Sequence, residues 1–124
     1  MKIHHLAISV RSLKRSAGFY KRFFGFEEAK RFERKDLGAR AVFLESDEFQ
    51  LELWEFKKQA ENKDDFFRLE ILGLKHLAFE TKNIEQDFKR FKSRSRSELR
   101  KGASGGRYFF LEDPDGLPIE IYQP

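Results

Sequence analysis

In two stretches of the chain, HHLAISV and KHLAFET, a histidine opens a short apolar run, with His5 in the first and His76 seventy-one positions later in the second. Each predicts a short strand. Behind the first, Leu13, Ala17, Tyr20 and Phe24 recur at helical spacing, with Ser12 placed to cap the start and Gly25 to close the end. Behind the second, Asn83 with Gln86 three residues on predicts a shorter helix whose apolar stripe is Ile84, Phe88 and Phe91. Three more strand-like stretches follow in each half, about 26–34, 40–45 and 49–56 in the first and about 97–101, 107–111 and 117–122 in the second. Asp113 to Gly116 is a strong turn signal before the last of these, and Ser46 to Glu48 a weaker one before Phe49. The unit strand, helix, strand, strand, strand therefore occurs twice. The expected fold is α+β, with two tandem βαβββ modules, about 1–56 and about 73–124, joined by a charged connector at 57–72 with room for a short helix.

Composition narrows the picture. A chain of 124 residues, 40% hydrophobic and 37% charged, suits a single domain with a modest core. No stretch approaches the roughly 18 apolar residues of a membrane span. Apart from Lys2 the basic residues follow the first apolar run rather than precede it, so no secretory signal is read and a cytoplasmic protein is expected. There is no cysteine, which limits any metal site to His, Asp and Glu. Twenty-five Lys and Arg against 21 Asp and Glu leave a net charge of +4, with the two signs interspersed. The exception, Lys89 to Lys101, carries seven basic residues and one Glu. With only Phe91 interleaved for stacking, it reads as a solvated helix end and turn rather than a nucleic-acid surface.

Strand alternation sorts the side chains into two faces. Leu6, Ile8 and Val10 share one face of the first strand, with His5, Ala7 and Ser9 on the other. Leu51 and Leu53 lie opposite Gln50, Glu52, Trp54 and Phe56. The second half repeats the division: Leu77 and Phe79 against His76 and Ala78, then Leu117, Ile119 and Ile121 against Glu120 and Tyr122. If the apolar face packs the helix, His5, Glu52, His76 and Glu120 all project from the opposite face. The intervals agree, 47 residues from His5 to Glu52 and 44 from His76 to Glu120. Two carboxylates flanked by apolar neighbours are costly to bury unpaired, and a divalent cation held by the four side chains removes that cost. Ala7 and Ala78 leave space beside the histidines. His4 is read as structural, Glu55 as a surface charge, and Glu80 as too far along its strand to be a first choice of ligand.

The segments HLAISV, SLKRSAGFYKRFFGF, QLELWEF, GLKHLAF and YFFLEDPDGLPIEIY together resemble the vicinal oxygen chelate superfamily, whose best-known member is glyoxalase I. FYKRFFGF corresponds to the family's FYxxxLGF and EDPDGLPIE to its DPDGxxxE, and the ending is closest to small bacterial glyoxalase-I-like proteins. The resemblance implies a curved mixed sheet around a central metal site, with His5, Glu52, His76 and Glu120 as ligands. It also implies a homodimer, whose modules pair within one chain or between two. The ligand set suits nickel, cobalt, zinc, manganese or iron better than calcium.

Chelation of two adjacent substrate oxygens would stabilise an enediolate as a proton leaves the neighbouring carbon. By resemblance Glu120 is the base, and Glu52 a ligand able to assist from the opposite face. Ser9 and Phe56 stand where bacterial glyoxalase I has an Arg and an Asn that hold glutathione. With Trp54 beside Phe56, this points to a more apolar substrate or another thiol. The remaining pocket positions are Ala7, Ala78, Tyr122 and Arg107, the last placed to meet an anion. Gly102, Gly105 and Gly106 form either an ordinary hairpin loop or a lid. Alternatives within the family are an epimerase beside a thioester, a thiol transferase, a dioxygenase, or a non-catalytic resistance-type protein that binds a small molecule.

Overall fold

The computed structural model describes residues 1–124. By contact the chain divides into two units, Met1–Asn62 and Lys63–Pro124. The first unit runs β1 (His5–Ser9), α1 (Leu13–Phe24), β2 (Glu27–Arg34), a single 3-10 turn at Lys35–Leu37, β3 (Ala39–Glu45) and β4 (Gln50–Phe56). Its four-stranded sheet has the order β1-β4-β3-β2, with β1 parallel to β4 and the other pairs antiparallel. The second unit runs β5 (Leu77–Glu80), α2 (Ile84–Arg90), β6 (Arg100–Lys101), β7 (Arg107–Glu112) and β8 (Pro118–Gln123). Its sheet repeats the pattern as β5-β8-β7-β6, again with one parallel pair, β5 with β8. This is the tandem βαβββ architecture.

The helix ends form where the sequence supplies a cap. Ser12 accepts from the backbone N–H of Arg15, and Gly25 adopts the left-handed conformation (φ 71°) that closes α1. Asn83 accepts from the N–H of Gln86 at the start of α2. In the first unit α1 packs on β3 and β4, burying Leu13, Tyr20, Val42, Leu44, Leu51 and Leu53. In the second, α2 packs on β7 and β8, burying Ile84, Phe109, Leu111, Ile119 and Ile121. Each sheet thus turns one face to its own helix. The expected short helix in the connector is not formed. Asp65 accepts from the N–H of Phe67 instead, an Asx turn that competes with helix, and Gly73 at φ 128° breaks the chain again. The stretch expected as a strand over 97–101 forms only as β6, preceded by an isolated bridge between Ser95 and Leu111.

Candidate metal centre

The register brings each histidine onto its glutamate. In the first unit Ala7 pairs with Glu52 across the parallel β1–β4 ladder, so His5, Ala7 and Ser9 share a face with Glu52 and Trp54. His5 Nε2 stands 3.4 Å from Glu52 Oε2. In the second unit Ala78 pairs with Glu120, and His76 Nε2 stands 2.8 Å from Glu120 Oε2. The histidines are about one-third exposed (37% and 32%) and the glutamates mostly covered (14% and 16%). Both pairs are therefore reachable without being fully hydrated.

Two ligand atoms about 2.1 Å from a shared ion stand roughly 3.0 Å apart at a right angle and roughly 3.4 Å apart at the tetrahedral angle. Both separations lie near that range, and imidazole nitrogen with carboxylate oxygen is a donor set that zinc, nickel and similar ions accept. The residues present fit a divalent cation. Within each unit the pair gains no third His, Asp or Glu at ligating distance, so each half offers two ligands.

A phenylalanine completes each pair. Phe43 on β3 is the cross-strand neighbour of Glu52, and its ring meets His5 edge to face with centroids 5.4 Å apart at 88°. Phe110 on β7 is the neighbour of Glu120 and meets His76 at 5.3 Å and 76°. In the first unit the rings continue along the face, Phe32 to Phe43 at 5.9 Å, Phe32 to Trp54 at 5.3 Å and Trp54 to Phe56 at 6.0 Å. In the second the surface carries hydroxyls: Tyr108 lies opposite Tyr122, whose phenol is 3.0 Å from the Ser104 hydroxyl. Sequence reasoning named Trp54, Phe56 and Tyr122 but missed Phe32, Phe43, Tyr108 and Phe110. The signal was the repeated Phe-Leu-Glu at 43–45 and 110–112, whose phenylalanines precede Glu52 and Glu120 by nine and ten residues.

Other residues stand elsewhere than expected. Arg107 pairs in register with Gln123, on the helix side of the sheet, and its guanidinium donates to Glu85 at the start of α2. Register, not proximity in sequence, takes it away from the Glu120 face. Glu55 is not an idle surface charge. It accepts from the N–H of Leu13 at 2.7 Å and from Arg40 at 2.8 Å, and these two donors hold its carboxyl below the usual carboxylate range. It serves as an acid at the N-terminus of α1, whose own first turn has none. His4, read as structural, has its Nδ1 2.8 Å from Nδ1 of His5. Gly102 to Gly106 close a hairpin through Gly102 N–H to Gly106 carbonyl, 2.6 Å, and Gly106 lies against the Tyr122 ring, where any Cβ would collide. A surface cavity of about 560 Å³ lies beside Glu33, Lys35 and Lys57, with the Arg40–Glu55 ion pair in its wall and neither His–Glu pair among its lining residues.

The chain belongs to the Glyoxalase/Bleomycin resistance protein/Dioxygenase superfamily, whose family model matches residues 2–121. It is 30% identical to the uncharacterized protein YwkD of Bacillus subtilis, over 98% of this chain and 95% of that protein. It is 29% identical to the mitochondrial methylmalonyl-CoA epimerase of Homo sapiens, over 98% of this chain and 73% of the epimerase. Among solved structures, a glyoxalase family protein from Enterococcus faecalis superposes with a TM-score of 0.82 at 28% identity, covering 98% of this chain and 96% of that one. No helix is long and apolar enough to cross a membrane.

Proposed function

We propose that the protein is a divalent-metal-dependent enzyme of this superfamily, a glyoxalase-I-like lyase or isomerase working on a small molecule in the cytoplasm as a homodimer. The observation that carries the reading is the duplication of one constellation: a His–Glu pair on the face away from the helix, at equivalent strand positions in both units, each with a phenylalanine against the imidazole. In this reading His5, Glu52, His76 and Glu120 hold one ion, which is nickel, cobalt, zinc, manganese or iron. Bound there, the ion would supply Lewis-acid polarisation of two adjacent substrate oxygens. Glu120 takes the proton from the carbon beside them, and Glu52 assists from the opposite side. Phe32, Phe43, Trp54 and Phe56 offer a continuous aromatic surface beside His5, which favours a substrate with an apolar group over glutathione. Ala7, Ser9 and Ala78 leave room on the same faces, and Tyr122 offers a hydroxyl.

A second reading is epimerisation beside a thioester, favoured by the relation to methylmalonyl-CoA epimerase. It uses the same proton transfer, so one experiment addresses both. Protein reconstituted with nickel, cobalt, zinc or manganese is assayed for hemithioacetal isomerisation and acyl-thioester epimerisation, with Glu120→Gln alongside. The variant should keep most of its metal and lose about 10² to 10⁴ in rate. Full activity in the variant would refute Glu120 as the base, and turnover of neither substrate class would favour a small-molecule-binding protein instead.

A further inference from the structure

Neighbouring residues on an extended chain send their side chains to opposite sides. His4 and His5 do not. His4 precedes β1, and its ring turns onto His5 with centroids 5.1 Å apart, planes at 84° and the two Nδ1 atoms 2.8 Å apart. A hydrogen bond between two ring nitrogens requires an N–H on one and a lone pair on the other. The opposite nitrogen of His5, Nε2, faces the Glu52 carboxylate at 3.4 Å. When both rings are neutral and no ion is bound, one arrangement satisfies both contacts: His5 carries its proton on Nε2, toward Glu52, and accepts at Nδ1 from His4. To offer Nε2 to a cation, His5 must carry its proton on Nδ1, and its neighbour must then accept rather than donate.

We infer that His4 is a positioning residue that lets His5 exchange tautomers without moving its ring. The inference rests on the reading of His5 as a metal ligand. A backbone carbonyl in that place can only accept; an imidazole can do either. The protons balance. The Nε2 proton of His5 leaves to solvent, the Nδ1 proton of His4 passes along the hydrogen bond to Nδ1 of His5, and solvent returns a proton to Nε2 of the exposed His4. In the initial and final states alike the pair is neutral and each ring carries one proton.

The test is ¹⁵N NMR of the imidazole nitrogens in the full chain, above the histidine titration range, before and after addition of Zn²⁺ as a diamagnetic probe. Without zinc, His5 should be protonated at Nε2 and His4 at Nδ1; with zinc, His5 should be protonated at Nδ1 and His4 at Nε2. His4→Phe keeps a ring but neither donor nor acceptor, and should weaken zinc binding by about 10- to 100-fold. His4→Asn, whose amide can present oxygen or nitrogen near the Nδ1 position, should stay within about threefold of the wild type. Unchanged zinc affinity in His4→Phe, or an unchanged tautomer of His4 on zinc binding, overturns the inference. His5→Ala separates the two failures: if it loses zinc while His4→Phe does not, the role of His4 alone is wrong, and if it binds zinc like the wild type, the ligand reading beneath it is wrong.

Discussion

The ring of Phe110 meets the imidazole of His76 edge to face, 5.3 Å between centroids, and Phe110 is also the cross-strand neighbour of Glu120. One side chain thus borders both members of the pair. Because the imidazole is held by packing as well as by its contact with Glu120, Phe110→Leu should free the ring to adopt other rotamers. Such aromatic contacts are worth about 0.5–1.5 kcal/mol, so zinc or nickel affinity should fall about 2- to 10-fold by competition with a chelator. Phe43→Leu should act alike on His5. Affinity unchanged in both variants would show the rings to be bystanders.

Glu55 joins β4 to the start of α1 through the Leu13 N–H. Glu55→Gln should lower stability by about 1 kcal/mol in denaturant titration near neutral pH, through loss of the negative charge at the start of α1 and of the ion pair with Arg40. Its folded-state pKa is lowered by the Leu13 N–H and Arg40, so the stabilisation is complete above the ordinary carboxylate range and is lost as pH falls through the lowered value. The gap between wild type and variant should therefore close in acid. A gap that persists there would mean that the charge is not what matters.

Gly106 leaves the room that the Tyr122 ring occupies. Gly106→Ala should cost about 1–3 kcal/mol through overpacking, and Tyr122→Ala in the same chain should recover part of that loss. Strictly additive effects in thermal unfolding would contradict the contact.

The helices were legible because their ends are written in chemistry: Ser12 and Asn83 bond the backbone locally, and Gly25 takes the left-handed turn. The His5–Glu52 and His76–Glu120 pairings were legible because strand alternation and the repeated half assign each residue a face. Phe43 and Phe110 were equally legible in the repeated Phe-Leu-Glu, in phase with the glutamates they border. What alternation cannot convey is register and twist. Alternation does set Arg107 on the face opposite Tyr108; what it does not show is the ion pair with Glu85 at the start of α2. Glu55 finds its partner at Leu13, 42 residues away, and His4 reaches His5 only because the chain has not yet become regular ahead of β1. Of the strand expected over about 97–101 only Arg100 and Lys101 form β6, the two residues that pair with β7.

The claim on which the enzyme reading stands is that both pairs serve one ion. Calorimetric titration of metal-free protein with Ni²⁺ tests it in the wild type, His5→Ala and His76→Ala. The account predicts one strong site per chain in the wild type and its loss in each single variant, because either substitution removes a ligand from the same ion. If each variant retained a site of wild-type affinity at half the original stoichiometry, the pairs would be two separate sites and the account would be contradicted.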